Sequence, residues 1–276
     1  MTIIKNPKQT EWEAILKRPS QHIDTLNDVV HEVFKAVQNE GDIALKHYTK
    51  KYDGVAIDDI RVSKTEIEAA ENAISPELKK AILKAKSNIE SFHKAQKTRR
   101  VDVQTQNGIR CWQAKRPIEP VGLDIHGGTA PLFSTVLMLA IPAQIAGCSS
   151  IVLCTPPNIS GTIANEILFT AALCGVTQIF KLGGIQAIAG MTYGTATIPK
   201  VNKLFGPGNQ YVTAAKQAAT KFGVAIDMPA GPSELLVVAD ASATPSFVAS
   251  DLLSQAEHGV DSQVVLVSTD LSLLEA

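Results

Sequence analysis

The chain has 276 residues, room for one or two domains, and its 45% hydrophobic against 19% charged content excludes intrinsic disorder and requires a sizeable core. Twenty-six Lys and Arg against 27 Asp and Glu leave a formal net charge of −1, which gives no electrostatic footprint for nucleic acid or an anionic membrane. The charge is uneven: 38 charged side chains fall in residues 1–120 and 15 in residues 121–276, so the back part must bury both faces of something.

The start of the chain runs into polar sequence, and no signal peptide is expected. Ile23, Leu26, Val30, Val33, Phe34 and Val37 form one helical stripe that breaks at Gly41 and resumes after Asp42. Ser75-Pro76-Glu77 offers an N-cap and a first-turn proline, and Leu78, Ile82, Ala85, Ile89 and Phe92 continue that helix. Val101 and Val103 alternate toward Asn107-Gly108, with Ile109 and Cys111 beyond, which predicts a hairpin. From residue 121 the period changes. Aliphatic runs at 121–125, 151–154, 178–182, 201–205, 235–239 and 263–267 alternate with helix-length segments at 131–147, 160–174, 184–193, 209–222 and 246–257. This pattern predicts βαβ units, an α/β fold and a mainly parallel sheet, whose doubly covered strands account for the scarcity of charge.

The longest apolar stretch, Pro131 to Cys148, is interrupted by Ser134, Thr135, Pro142, Gln144 and Gly147, so no membrane span is expected. Cys111, Cys148, Cys154 and Cys174 lack CxxC pairing and read as core thiols of a reducing, cytoplasmic compartment.

Open α/β sheets bind ligands at the carboxyl ends of their strands. Glycine turns stand there at Gly127-Gly128, Gly183-Gly184, Gly206-Pro207-Gly208-Asn209 and, before a strand, Pro229 to Glu234. None is a GxGxxG or Walker A sequence. Singly each is a tight turn; in register along one edge they line a phosphate or nucleotide cleft. Gln255 and His258 share a helix face at i, i+3. His258 reads either as a cap on the helix dipole or, with the amide oxygen of Gln255, as part of a zinc site. His22, His31, His47 and His93 read as surface residues. No nucleophile pair or carboxylate pair is apparent.

The stretches 130–148, 183–190, 203–209, 227–240 and 251–267 closely resemble histidinol dehydrogenase. The resemblance covers nearly the whole chain. It implies two Rossmann-like domains, a homodimer, and oxidation of L-histidinol to L-histidine through histidinal with two NAD and one zinc ion per site. By motif, Gln255 and His258 match zinc ligands that also hold substrate, Ser233 a substrate contact, and Gln186 and Asn209 NAD contacts. Asp124 is carried over as a third cofactor-binding position, standing where the family has a cofactor-contacting tyrosine, and His126 stands where it has proline; 156–163 reads as a surface insertion. The implied organisation is an arm at 1–20, a discontinuous Rossmann-like domain at 21–123 with 235–276, and an inserted NAD-binding domain at 124–234.

Family chains continue beyond Ala276 and carry there a Glu-His acid/base pair, an Asp and a His zinc ligand, and a substrate-binding Glu. The expectation is therefore a truncated domain, no catalytic residue within the chain and negligible turnover by it alone. The alternative is a non-catalytic nucleotide-binding or interaction module of the same family.

Overall fold

The structure, a computed structural model, describes residues 2–17, 23–127, 131–229, 234–257 and 262–275, with the side chains of 23–25 left aside. The chain divides into two compact units, Leu26–Pro229 and Met1–Thr25 with Ala230–Ala276.

A 3-10 turn at Gln9–Glu11 leads into α1 (Trp12–Ile15), and α2 (Ile23–Glu40) and α3 (Asp42–Asp53) follow on either side of Gly41. Next comes α4 (Lys64–Ala73), which the hydrophobic stripe did not indicate. Its start is nevertheless written in the sequence as a capping box: Ser63 Oγ accepts from the Glu66 amide, and the Ser63 amide donates to Glu66 Oε2 at 2.9 Å. Helix α5 (Pro76–Ala95) begins as expected, with Ser75 Oγ accepting from the Leu78 amide at 3.2 Å. The antiparallel hairpin β1 (Asp102–Gln106) and β2 (Ile109–Trp112) turns at Asn107-Gly108. Its strands are exposed throughout, so Cys111 is a surface thiol and only Cys154 and Cys174 are buried.

Strands and helices then alternate: β3 (Val121–Asp124), α6 (Phe133–Ala146), β4 (Ile151–Thr155), α7 (Asn165–Leu173), β5 (Gln178–Lys181), α8 (Gly184–Tyr193), β6 (Lys203–Phe205), α9 (Gln210–Thr220) and β7 (Ala225–Ile226). The five strands form one parallel sheet in the order β5-β4-β3-β6-β7. Strand β7, two residues long, is too short to leave an aliphatic run.

Alternate residues of these strands enter two separate cores. Val121, Leu123, Ile151, Leu153 and Ile179 face helices α4 to α7 on one side. Val152, Cys154, Phe180 and Leu204 face α2, α3, α8 and α9 on the other. Both faces are covered, which is why β3 and β4 read as unbroken apolar runs. Helices α2 to α5 thus pack on this sheet rather than belonging with residues 235–276. The free edge of β5 is covered by residues 60–62: the Val62 amide donates to Ile179 O at 2.9 Å, and the Lys181 amide to Ile60 O at 2.8 Å.

In the other unit, β8 (Glu234–Ala239) and β9 (Gln263–Ser268) pair in parallel, joined by α10 (Pro245–Ala256) and followed by α11 (Leu271–Glu275). These strands are not covered like β3 and β4. Val238 is 74% exposed and Leu236 60%. Among the described residues no helix is long and apolar enough to cross a membrane.

Candidate functional site

The chain leaves β3 by α6 and steps outward through β4 to β5, then returns through α8 to β6 on the opposite side of β3. The strand order therefore reverses between β3 and β6. In open α/β sheets, the crevice at the carboxyl ends of such a pair is where ligands bind. Asp124 ends β3, and residues 206–209 follow β6, so both lie at that reversal.

Gly206 is held from three sides. Its amide donates to Asp227 Oδ2 at 2.9 Å, its carbonyl accepts from Lys216 Nζ at 2.8 Å, and Lys216 pairs with Asp227. Lys216 is only 3% exposed, so this pair sets the path of the loop rather than decorating the surface. The loop presses on β3: a Cβ on Gly206, whose φ is +147°, would lie 2.2 Å from Asp124 O. Only glycine fits there.

Asp124 itself is turned inward, 1% exposed, and neither carboxylate oxygen has a hydrogen-bond partner. Burial pushes its carboxyl from 3.8 up to about 7; Lys216 opposes the rise and Asp53 adds to it. The side chain that ends β3 is therefore an interior acid. Gln186, in the first turn of α8, is also 1% exposed, and its Nε2 donates to Asp53 Oδ2 at 3.1 Å while Oε1 has no partner. Burial raises the Asp53 carboxyl from 3.8 to about 6, and the Gln186 bond pulls it the other way. Asn209 caps α9, its Oδ1 accepting from the Val212 amide at 3.1 Å.

Two of the glycine turns have a packing reason of their own. A Cβ on Gly127 would stand 2.6 Å from Pro156 Cγ, and one on Gly183 2.8 Å from the same ring. The turns after β3 and β5 thus close on the proline that follows β4. The neighbouring segment is a surface turn built on Asn158, whose Oδ1 accepts from the Ser160 and Thr162 amides, and Ile159 is 93% exposed.

Gln255 belongs to the other unit, at the end of α10, and its Nε2 donates to Ser262 Oγ at 3.2 Å. Ser233, His258 and Gly128 lie outside the described residues. Among the described residues no group of three or more His, Cys, Asp or Glu could hold a metal ion. The structure thus brings Gln186, Asn209 and Asp124 to one sheet edge. It adds Asp53, Lys216 and Asp227, which the motifs did not single out. Lys216 and Asp227 did carry a signal, as two of the few charges in the apolar back part. Asp53 carried none, being one more acid at the end of a charged helix.

A family profile described as histidinol dehydrogenase matches residues 16–276. The chain belongs to the histidinol dehydrogenase family. It is 57% identical over 273 residues to the histidinol dehydrogenase of Bacteroides thetaiotaomicron, covering 99% of this chain and 64% of that one. The Escherichia coli O157:H7 enzyme is 53% identical over 266 residues, with coverages of 95% and 60%. A crystal structure of histidinol dehydrogenase from Elizabethkingia anophelis superposes with a TM-score of 0.88 at 58% identity, over 98% of this chain and 62% of that chain. The chain thus spans somewhat under two thirds of the length of these members of the family. None of these relatives bears the name of a non-catalytic module.

Proposed function

We propose that the whole protein is a histidinol dehydrogenase, oxidising L-histidinol to L-histidine through histidinal, and that residues 26–229 supply its NAD site. The observation that carries this reading is the position of Gln186 and Asn209, in or beside the first turns of α8 and α9 at the carboxyl ends of β5 and β6, on the sheet edge where the strand order reverses between β3 and β6. Helix α8 has no side-chain cap, so its first-turn amides suit a phosphate, while Gln186 Oε1 suits a hydroxyl or amide donor. Bound NAD supplies the hydride acceptor. The residues of this chain bind and orient it, and the clamp on Gly206 holds the loop that carries Asn209.

Zinc is assigned to Gln255 through its amide oxygen and to His258 through an imidazole nitrogen, with Ser233 holding substrate. The bond from Gln255 Nε2 to Ser262 leaves Oε1 as the ligating end, which suits a borderline metal. One amide oxygen is a single donor, so the metal needs ligands beyond the described residues. A homodimer in the cytoplasm completes the proposal, in keeping with cysteines that are free throughout.

The test is NADH formation from L-histidinol and zinc, measured on this chain and on a version extended to the length of its relatives. Turnover by the extended version supports the reading. Silence from a folded extended version overturns it.

A further inference from the structure

Gln186 and Asp53 are 133 residues apart in sequence, yet the amide of one is bonded to the carboxylate of the other inside the protein. A side-chain amide has a donating and an accepting end, and whichever end is anchored decides which is offered elsewhere. An ionised carboxylate only accepts, so Asp53 can hold only the NH2 end of Gln186. The carbonyl end is thereby turned the other way. Oε1 has no partner and lies 3.4 Å from where a Cβ on Gly184 would stand, against the turn that closes the carboxyl end of β5. A buried acceptor left without a donor is costly, and a donor brought by a ligand would relieve that cost.

We infer that Asp53 is a positioning residue: it fixes the amide of Gln186 so that its carbonyl oxygen is offered at the Gly183-Gly184 turn to a hydrogen-bond donor of the bound ligand. The identity of that ligand rests on the NAD reading above; the orientation of the amide does not. A dinucleotide carries such donors on its ribose hydroxyls and its carboxamide, whereas its phosphates only accept. Phosphate therefore belongs at the helix amides and a donor group at Gln186.

The arrangement is sensitive to protons. Once protonated, Asp53 can donate its own O–H to Oε1, and the amide can turn over. The groups facing this acid are Gln186 on α8 and Asp124 on β3, with Lys216 on α9 acting on Asp124 in turn. Burial already places the Asp53 carboxyl about two pH units above its ordinary range, so the turnover falls near pH 6.

The experiment uses the full chain labelled with 15N-glutamine, with the Gln186 side-chain signal assigned by its loss in Gln186→Glu. The expected result is one transition of that NH2 pair near pH 6, with slowed exchange above it, and its disappearance in Asp53→Asn while the other glutamine signals stay in place. A wild-type pair that does not respond between pH 4.5 and 8 overturns the inference. So does an unchanged transition in Asp53→Asn. If that variant does not fold, the wild-type titration decides alone. In parallel, NAD titrated at pH 7.5 is expected to bind Asp53→Asn ~10-fold more weakly than wild type, the effect of one hydrogen bond lost. A titrating amide in a chain that does not bind NAD upholds the positioning and overturns the NAD reading; NAD binding without a titrating amide does the reverse.

Discussion

Replacing Asp124 with asparagine keeps the shape of the side chain and removes its ionisation. The wild-type acid is buried with both oxygens unpartnered, and its folded pKa is raised from 3.8 to about 7. An acid whose folded pKa is raised favours the folded state most below its unfolded pKa and loses that contribution as pH climbs through the folded value. Three pH units correspond to about 4 kcal/mol in all, more than half of it falling between pH 5 and pH 8. Asparagine leaves a comparable buried polar group and does not titrate. The variant should therefore be the more stable by about 1–2 kcal/mol at pH 5 and by about 4 kcal/mol at pH 8, the gap widening as pH rises. Urea unfolding followed by circular dichroism at each pH reads this directly. Parallel stability profiles for the two proteins would refute the reasoning, because the acid would then ionise without cost.

Further outcomes follow from the packing around the same edge. Gly183→Ala drives a methyl into the Pro156 ring and should cost about 1–3 kcal/mol in urea unfolding, with much of the loss recovered in the double variant with Pro156→Ala. Additive effects of the two changes would show that the turns do not close on Pro156. Lys216→Met strands Asp227 and the Gly206 carbonyl, so a loss of about 3–5 kcal/mol is expected, partly restored by adding Asp227→Asn. A loss under about 1 kcal/mol in the single variant would mean that the pair does not hold the loop.

The elements of the larger unit were legible wherever a local rule acted. The stripe of α2, the cap of α5, the Asn107-Gly108 hairpin and the continuous runs of β3 to β5 all appear where the sequence placed them. Helix α4 was legible too, through Ser63 and Glu66, but its apolar face is narrow and only Ala70 is buried. Strand β7 left no signal because two residues make no pattern. Strands β8 and β9 show the limit of reading apolar runs: Leu236 and Val238 fit a covered strand by composition, yet both are exposed. At the candidate site, the family motifs single out Gln186 and Asn209. They could not show that Asp124 turns inward, because that depends on Gly206 crossing above it from a strand some 80 residues later. Nor could spacing reveal Asp53, whose role comes from a contact between distant segments. Each glycine turn by itself reads as a tight turn and the set in register as a cleft; at Gly127 and Gly183 the space is filled by the protein's own proline.

The most direct test of the NAD site is calorimetric titration of NAD into the 276-residue chain and into its Gln186→Ala variant. The account predicts saturable binding to the wild type and affinity weakened ~10-fold or more in the variant, with both proteins folded to the same extent. No binding by the folded wild type, or equal binding by the two, would contradict the placement of NAD at the reversal between β3 and β6.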